Sequence, residues 1–218
     1  MRELNEQVLL VGAPGTGKTR LWMYLTTAKW LPNEEWVFVH DPNGQVRKLG
    51  ASARLYRDTH AWRAAAAAAA AAKQPLPRVA GLQCETDELT NLVIELGGRH
   101  NRDEDVRFPM RVIYDEGSMM ESTGASYAAK LDVRLCSRRR HLGAAPVYLV
   151  QEPLMVPKPL WVYATDVYLF EGLEGRELEH VIARAHLSRC AAELDVLNTE
   201  PGHGVLHCKP YRGIVGEL

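Results

Sequence analysis

The chain has 218 residues, enough to bury a sizeable core without disulfide or metal staples. Lysine and arginine total 26 against 27 aspartate and glutamate, and the formal net charge of −1 excludes bulk attraction to nucleic acid while leaving room for a basic surface confined to one small face. Cys84, Cys136, Cys190 and Cys208 are irregularly spaced without a CxxC pair, no apolar run approaches the length of a membrane span, and Met1 to Gln7 lacks a signal pattern, so a soluble protein with reduced thiols is expected.

Val8 to Val11 is a short apolar run suited to a central parallel strand, and Leu21, Trp22 and Leu25 follow at helical spacing. Between them lies Gly12-Ala13-Pro14-Gly15-Thr16-Gly17-Lys18-Thr19, the complete phosphate-binding loop pattern in the strand-to-helix setting that gives it meaning. Its glycines let successive backbone N–H groups turn toward phosphate oxygens, and the helix N-terminus adds partial positive charge. Lys18 is expected to reach the β- and γ-phosphates of ATP, and Thr19 to ligate Mg²⁺.

Trp36 to His40 reads as a compact strand closed by the turn formers Asp41-Pro42-Asn43-Gly44, and Arg54 to Tyr56 as another short strand. Asp58 or Thr59 is placed to cap a helix holding nine consecutive alanines, Ala64 to Ala72, between Arg63 and Lys73 and stopped near Pro75 and Pro77. Alanine favours helix but buries little area, so a surface or spacer helix without chemistry is expected. Val79 to Leu82 has a weaker strand pattern. Glu85 to Glu88 opens a helix with apolar Leu89, Leu92, Val93 and Leu96, ended by Gly97-Gly98, and the charged Arg99 to Arg107 reads as a connection. A strand over Arg111 to Tyr114, a helix from about Ser122 to His141, a strand over Pro146 to Val150, a proline-punctuated loop and a strand over Asp166 to Phe170 follow. A helix over Glu174 to Ala185 and a last strand over Gly204 to Cys208 complete the series. His203, His207 and Cys208 lack a second ligand cluster and fit that strand better than a metal site. Strands alternating with helices predict an α/β fold, a mainly parallel sheet with helices on both faces, spanning residues 1–218 as a single domain.

Val112-Ile113-Tyr114-Asp115-Glu116 places two carboxylates at the C-terminal end of a strand, where ligands bind in open α/β sheets. It has Walker B form: Asp115 would hold Mg²⁺ through its water shell, and Glu116 would orient and activate the attacking water. A hydrolytic glutamate favours ATP hydrolysis coupled to work over a nucleotide kinase. Two firm strands between the phosphate loop and the Asp-Glu strand agree with a central sheet in which one strand is inserted between these two. The strand ending at Val150 leads into Gln151-Glu152-Pro153, whose Gln151 amide is placed to sense the γ-phosphate and relay its loss.

Together these features resemble the FtsK–HerA superfamily of DNA-pumping P-loop ATPases, and within it the genome-packaging ATPases of membrane-containing icosahedral viruses. The resemblance rests on Gly12 to Thr19, on His40-Asp41-Pro42-Asn43-Gly44, similar to the family's Asp-Pro-x-Gly turn, on Asp115-Glu116, and on Arg140-His141-Leu142-Gly143 leading to Gln151-Glu152-Pro153. Asp166 to Phe170 with its acidic helix looks like the family's next strand and helix. The resemblance implies a RecA/FtsK-like fold, a homohexameric ring with ATP between subunits and duplex DNA through the centre, and an arginine reaching the neighbouring subunit's ATP. Arg140 is the first choice for that arginine, with Arg138 and Arg139 able to share or replace it. Gln45, Arg47, Lys48 and Lys158 are candidates for DNA contact.

The leading expectation is therefore an ATP-driven double-stranded DNA translocase packaging a viral genome, partnered by a capsid vertex or membrane-associated packaging proteins. It would work in the host cytoplasm or on the virion. Open beside it are an AAA+-like or filamentous-phage-type morphogenesis ATPase acting on protein, a DNA-transfer or segregation ATPase, and a binding module in which ATP only controls assembly.

Overall fold

The structure is a computed structural model that describes residues 6–100, 109–115, 125–188, 204–210 and 213–217. Its strands are β1 (Val8–Val11), β2 (Trp36–His40), β3 (Ala53–Tyr56), β4 (Val79–Leu82), β5 (Met110–Tyr114), β6 (Ala144–Val150), β7 (Asp166–Phe170), β8 (Val205–Lys209) and β9 (Gly213–Glu217). Its helices are α1 (Lys18–Leu25), α2 (Thr59–Ala71), α3 (Thr86–His100), α4 (Ala125–Leu142), α5 (Lys158–Tyr163) and α6 (Gly175–Arg184).

The strands form one sheet in the order β3-β4-β2-β5-β6-β1-β7-β8-β9. From β3 to β7 every pairing is parallel, whereas β8 and β9 are antiparallel additions. The strand inserted between the phosphate-loop strand β1 and the Asp115 strand β5 is β6, which comes later in the chain and ends at Gln151. Parallel strands covered on both faces are apolar without a break, and β1, β5, β6 and β7 are buried at every position.

Side-chain alternation divides the core into two layers. Leu9, Val11 and Phe38 face a large cluster with Leu89, Val93, Leu135, Trp161 and Val181 from α3, α4, α5 and α6. Val8, Leu10, Val37 and Val39 face a smaller cluster with Leu21, Trp22 and Leu25 of α1, with Trp30, and with Val46 of a 3-10 segment, Gln45–Ser52. Helices thus cover both faces unequally.

One weakly signalled strand is found where expected, and two elements differ from expectation. The weakly patterned β4 is an interior strand between β3 and β2, because its Gly81 leaves space that Val46 fills; a Cβ there would stand 2.4 Å from Val46 Cγ2. Gly97-Gly98 does not end α3, which runs on to His100 with Gly97 against the backbone of Leu142 in α4. The proline-punctuated segment contains α5, where prolines are tolerated in the first turn and Leu160 and Trp161 are buried. The alanine helix is capped as expected, with Asp58 accepting from Ala61 N at 2.7 Å.

The sheet also carries a buried charge. Arg111, in the middle of β5, is 1% exposed and pairs with Glu35 and Glu6 while its guanidinium lies 5.2 Å from the Trp30 ring centroid. At the other end of the parallel sheet Asp166 accepts from His207 of β8 at 2.7 Å, and the His207 ring stacks on Tyr168. Cys208 is buried; His203 and Cys190 lie outside the described residues. Among the described residues no helix is long and apolar enough to cross a membrane.

Candidate functional site

The parallel strands deliver their C-terminal residues to one edge of the sheet, and the candidate residues converge there. After β1 the chain turns through residues 12–17 into α1, and Gly12 N–H donates to Val150 O at 3.1 Å, which sets the start of the loop beside the end of β6. The glycines have different reasons. Gly12 packs against β7, where a Cβ would stand 2.5 Å from Phe170 Cβ. Gly15 and Gly17 take φ of +82° and +99°, strained for any residue with a Cβ, and Gly17 is the N-cap of α1. No side chain caps α1 and its first turn holds no acidic residue, so the N–H groups of that turn are left for an anion.

Lys18 is folded into this loop, with Nζ donating to the carbonyls of Gly12 at 2.7 Å and Ala13 at 2.6 Å. Thr16 closes the loop by donating from its hydroxyl to Ala13 O at 2.8 Å. The ammonium is held inside the curl at 5% exposure. Thr19 is half-buried in the first turn of α1, and Pro14 and Gly15 are exposed at the mouth of the loop.

Asp115 follows β5 and is 4% exposed. The parallel register aligns Tyr114 with His40 on one side and Tyr148 on the other, so Asp115 shares the strand-end edge with Gln151 and Asp41. Glu116 lies outside the described residues. Gln151, half-buried, directly follows the carbonyl that accepts from Gly12. Behind this edge the Tyr114 and Tyr148 rings stack at 5.0 Å, the Tyr114 hydroxyl meets Thr90 Oγ1 of α3 at 2.7 Å, and the Tyr148 hydroxyl meets Cys136 Sγ of α4 at 3.3 Å. The strands that carry Asp115 and Gln151 are thereby locked to each other and to two helices.

The site also includes two residues at the end of β2 and in the turn after it, to which the motif assigned no role. His40 ends β2, is 7% exposed, and lies against the backbone carbonyls of Asp115 and Cys84. Burial pushes its imidazole below the ordinary histidine value, only partly opposed by those carbonyls and by Glu85 and Asp41. Asp41, fully buried, spends both carboxylate oxygens on backbone, accepting from Gln45 N at 2.7 Å and Val46 N at 2.8 Å. It is a cap for the 3-10 segment, and its place in a turn motif was the available signal.

Arg140 lies elsewhere. α4 runs back from the strand-end edge, and Arg140 is exposed in its last turn, just before Gly143 leads into β6. The seven residues of β6 put it about 20 Å from Gln151, beyond the reach of its own phosphate loop. Arg138 is exposed as well. Arg139 turns inward, donating to Cys136 O at 2.7 Å and lying 5.9 Å from the Tyr163 ring centroid; burial lowers its guanidinium pKa.

The donor set suits a magnesium nucleotide. A left-handed glycine curl, an uncapped helix start and an enclosed ammonium match polyphosphate, and the Thr19 hydroxyl and Asp115 carboxylate are the hard oxygen ligands that Mg²⁺ takes.

No family model and no curated protein sequence matches the chain. Solved structures do. The genome-packaging NTPase B204 of Sulfolobus turreted icosahedral virus 2, in complex with ATPγS, aligns with 100% of this chain and 98% of its own at TM-score 0.66 and 13% identity. The pCW3 conjugation coupling protein TcpA with ATPγS aligns with 100% of this chain and 61% of its own at TM-score 0.64 and 14% identity. VirB4 of Thermoanaerobacter pseudethanolicus aligns with 96% and 89% at TM-score 0.64 and 13% identity. The chain therefore has the α/β fold of these three structures, two of which hold ATPγS.

Proposed function

We propose that this chain is a single ATPase unit that hydrolyses ATP to move double-stranded DNA, working as a homo-oligomeric ring that packages a viral genome into a preformed capsid. The observation that carries the ATPase reading is the enclosure of Lys18 within a loop joined to the base of Gln151 by the Gly12–Val150 hydrogen bond. The DNA reading is supported by likeness over almost the full length of a viral genome-packaging NTPase.

In this reading residues Gly12 to Thr19 bind the triphosphate, with Lys18 leaving the Gly12 and Ala13 carbonyls for phosphate oxygens. Thr19 and Asp115 would hold Mg²⁺, which neutralises charge on the β- and γ-phosphates when bound. Glu116, next after Asp115, orients the attacking water. Gln151 distinguishes the states before and after γ-phosphate loss, and its short covalent link to Val150 passes the change to the loop after β6. Arg140 lies at the end of β6 opposite its own loop, so in this reading it serves the ATP of a neighbouring subunit, and a closed ring, a hexamer, gives every site such a partner. A capsid vertex or membrane-associated packaging proteins would anchor the ring, in the host cytoplasm or on the virion.

The test is the ATPase rate of the purified chain with and without duplex DNA, alongside oligomer mass. Turnover that rises with duplex DNA in the assembled form is expected. Turnover indifferent to DNA under assembly conditions would overturn translocation in favour of an ATPase acting on protein, and absence of turnover would overturn the enzyme reading.

A further inference from the structure

The chain's near-neutral charge conceals a segment of the opposite character. Between Pro42 and Cys84 the single carboxylate is Asp58, whereas Arg47, Lys48, Arg54, Arg57 and Lys73 are all exposed, so the remainder of a chain of net charge −1 is markedly acidic. Two further arginines in the segment are already engaged, Arg63 with Glu95 and Arg78 with Glu34. Among the described residues Arg47, Lys48, Arg54 and Lys73 form no ion pair, and Arg57, with 91% of its side chain exposed, has only the adjacent Asp58 at 3.5 Å.

The fold sets these residues around one edge of the sheet, on both of its faces and at both ends of the alanine helix. They lie on the 3-10 segment Gln45–Ser52, on β3 and the turn after it, and just past α2, and β3 is the open edge of the sheet. Charges on an edge strand alone would be ordinary protection against strand addition. Here only Arg54 belongs to the strand; Arg47 and Lys48 sit on the face with α1, and Arg57 and Lys73 flank the alanine helix. The exposed positions of α2 between Arg63 and Lys73 are alanines, which offer neither carboxylates to repel phosphate nor bulk to hold a rod-like polyanion away.

Building on the DNA reading above, we infer that this β3-edge surface, with Arg47, Lys48, Arg54, Arg57 and Lys73 as its cations, is where the chain grips the phosphate backbone of duplex nucleic acid without reading sequence. An anionic membrane fits less well, because a helix lying in a lipid interface needs large apolar side chains on one face, and the one Trp of α2, Trp62, is buried in the core. Phosphate contacts act through counterion release, so each one lost lowers the slope of log K against log salt by about 0.9.

The experiment measures binding of the full chain, with Mg²⁺ and ATPγS, to a fluorescent duplex of random sequence across a salt series. The quintuple variant Arg47→Gln, Lys48→Gln, Arg54→Gln, Arg57→Gln, Lys73→Gln is expected to lose at least about 2 units of slope and about 100-fold or more in affinity at 0.1 M salt. The double variant Arg176→Gln, Arg184→Gln, removing exposed charge on α6, is expected to retain wild-type binding. Circular-dichroism melting checks folding, and if the quintuple variant melts early, the triple Arg47→Gln, Lys48→Gln, Lys73→Gln is used, with at least about 1 unit of slope expected to go. Wild-type protein that binds duplex while these variants bind equally well would overturn the inference and leave the DNA reading standing. Wild-type protein that binds no duplex overturns that reading itself. Variant-sensitive binding to phosphatidylserine vesicles but not to duplex would reassign the surface to lipid and overturn the inference as well.

Discussion

Gly97 and Gly98 adjoin near the end of α3, yet alanine at the two positions is expected to shift stability in opposite directions. Helix propensity alone favours alanine over glycine by about 0.8–1 kcal/mol in a helix interior. At Gly98 a Cβ would meet nothing within 4 Å, and the residue is exposed, so Gly98→Ala should realise about 0.5–1 kcal/mol of added stability. At Gly97 a Cβ would stand 2.5 Å from Leu142 O and 2.9 Å from Leu142 Cα and Cβ. Backbone atoms cannot swing aside as a side-chain tip can, and overpacking of this kind costs about 1–3 kcal/mol. Since α3 and α4 must part, the upper half of that range applies, and Gly97→Ala should lose about 1–2 kcal/mol after the propensity gain is subtracted. Urea denaturation of the two variants should therefore differ by about 1.5–3 kcal/mol. Thermal midpoints should separate by roughly 4–10 °C for a chain of this size. Leu142 and Gly143 connect α4 to β6, so Gly97→Ala should also slow ATP turnover through the displaced Gln151 strand, whereas Gly98→Ala should not. Equal stabilisation by both substitutions would refute the close approach of α3 to α4 and the packing argument built on it.

Lys18→Ala removes the ammonium at the centre of the loop and should weaken ATP binding by about 10- to 100-fold, as for loss of a charged hydrogen-bonding group, measured with a fluorescent nucleotide. Glu116→Gln should keep nucleotide affinity and lower turnover by about 10²-fold or more, and unchanged turnover would remove Glu116 from the mechanism. Arg140→Ala should likewise spare binding and lose turnover, and under the proposed role in trans, mixing it with inactive Glu116→Gln should restore part of the rate through mixed interfaces; no recovery would count against that role. Arg111→Met leaves Glu35, only 4% exposed, without its arginine and should cost about 3–5 kcal/mol by urea denaturation, with much of that recovered in Arg111→Met, Glu35→Leu. Burial acts to raise the Asp166 pKa, but hydrogen bonds from His207 and Thr165 and the Lys209 charge outweigh it, and the folded carboxyl titrates below the ordinary 3.8. That depressed pKa gives stability fully present above about pH 4 and lost as pH falls through the folded value. The stability difference between wild type and Asp166→Asn should accordingly shrink in acid, and a difference constant down to pH 2.5 would refute the assignment.

The nucleotide site was legible because its chemistry is local: the loop from Gly12 to Thr19 needs its residues at fixed spacing on one strand-to-helix turn, and a parallel strand must end where ligands bind, as β5 does at Asp115. What escaped depends on partners distant in sequence. β4 was legible as a strand, but only weakly, because Gly81 is chosen for Val46, 35 positions away, and not for strand propensity. Gly97 looked like a helix stop, although its smallness serves Leu142. α5 was hidden by prolines that fit a first turn, and β9 by its antiparallel place beside β8 at the far end of the sheet. His40 stood in the turn motif without a role, and the burial at the end of β2 that lowers its pKa comes only with tertiary structure. Arg138, Arg139 and Arg140 were equivalent in sequence and are not in space: Arg139 is committed to Cys136 and Tyr163.

The sheet order also sets a problem for any motor built on this fold. β1, which carries the phosphate loop, and β3, beside the basic surface, are five strand spacings apart, about 24 Å. Between them the strand-end edge forms a continuous series: the phosphate loop is hydrogen-bonded to Val150, Gln151 follows, Asp115 ends the next strand, His40 lies against the Asp115 backbone, and Asp41 caps the segment bearing Arg47 and Lys48. Behind that edge the Tyr114–Tyr148 stack and its links to Thr90 and Cys136 resist independent motion of β5 and β6. A change at Gln151 is therefore transmitted more readily as a shift of this rigid edge than as local rearrangement, since packed interiors deform little and move as units. Arg140 stands at the opposite end of β6, and in the ring proposed above the same shift would move it relative to a neighbouring site, which would tie the displacement of DNA by one subunit to the hydrolytic competence of the next.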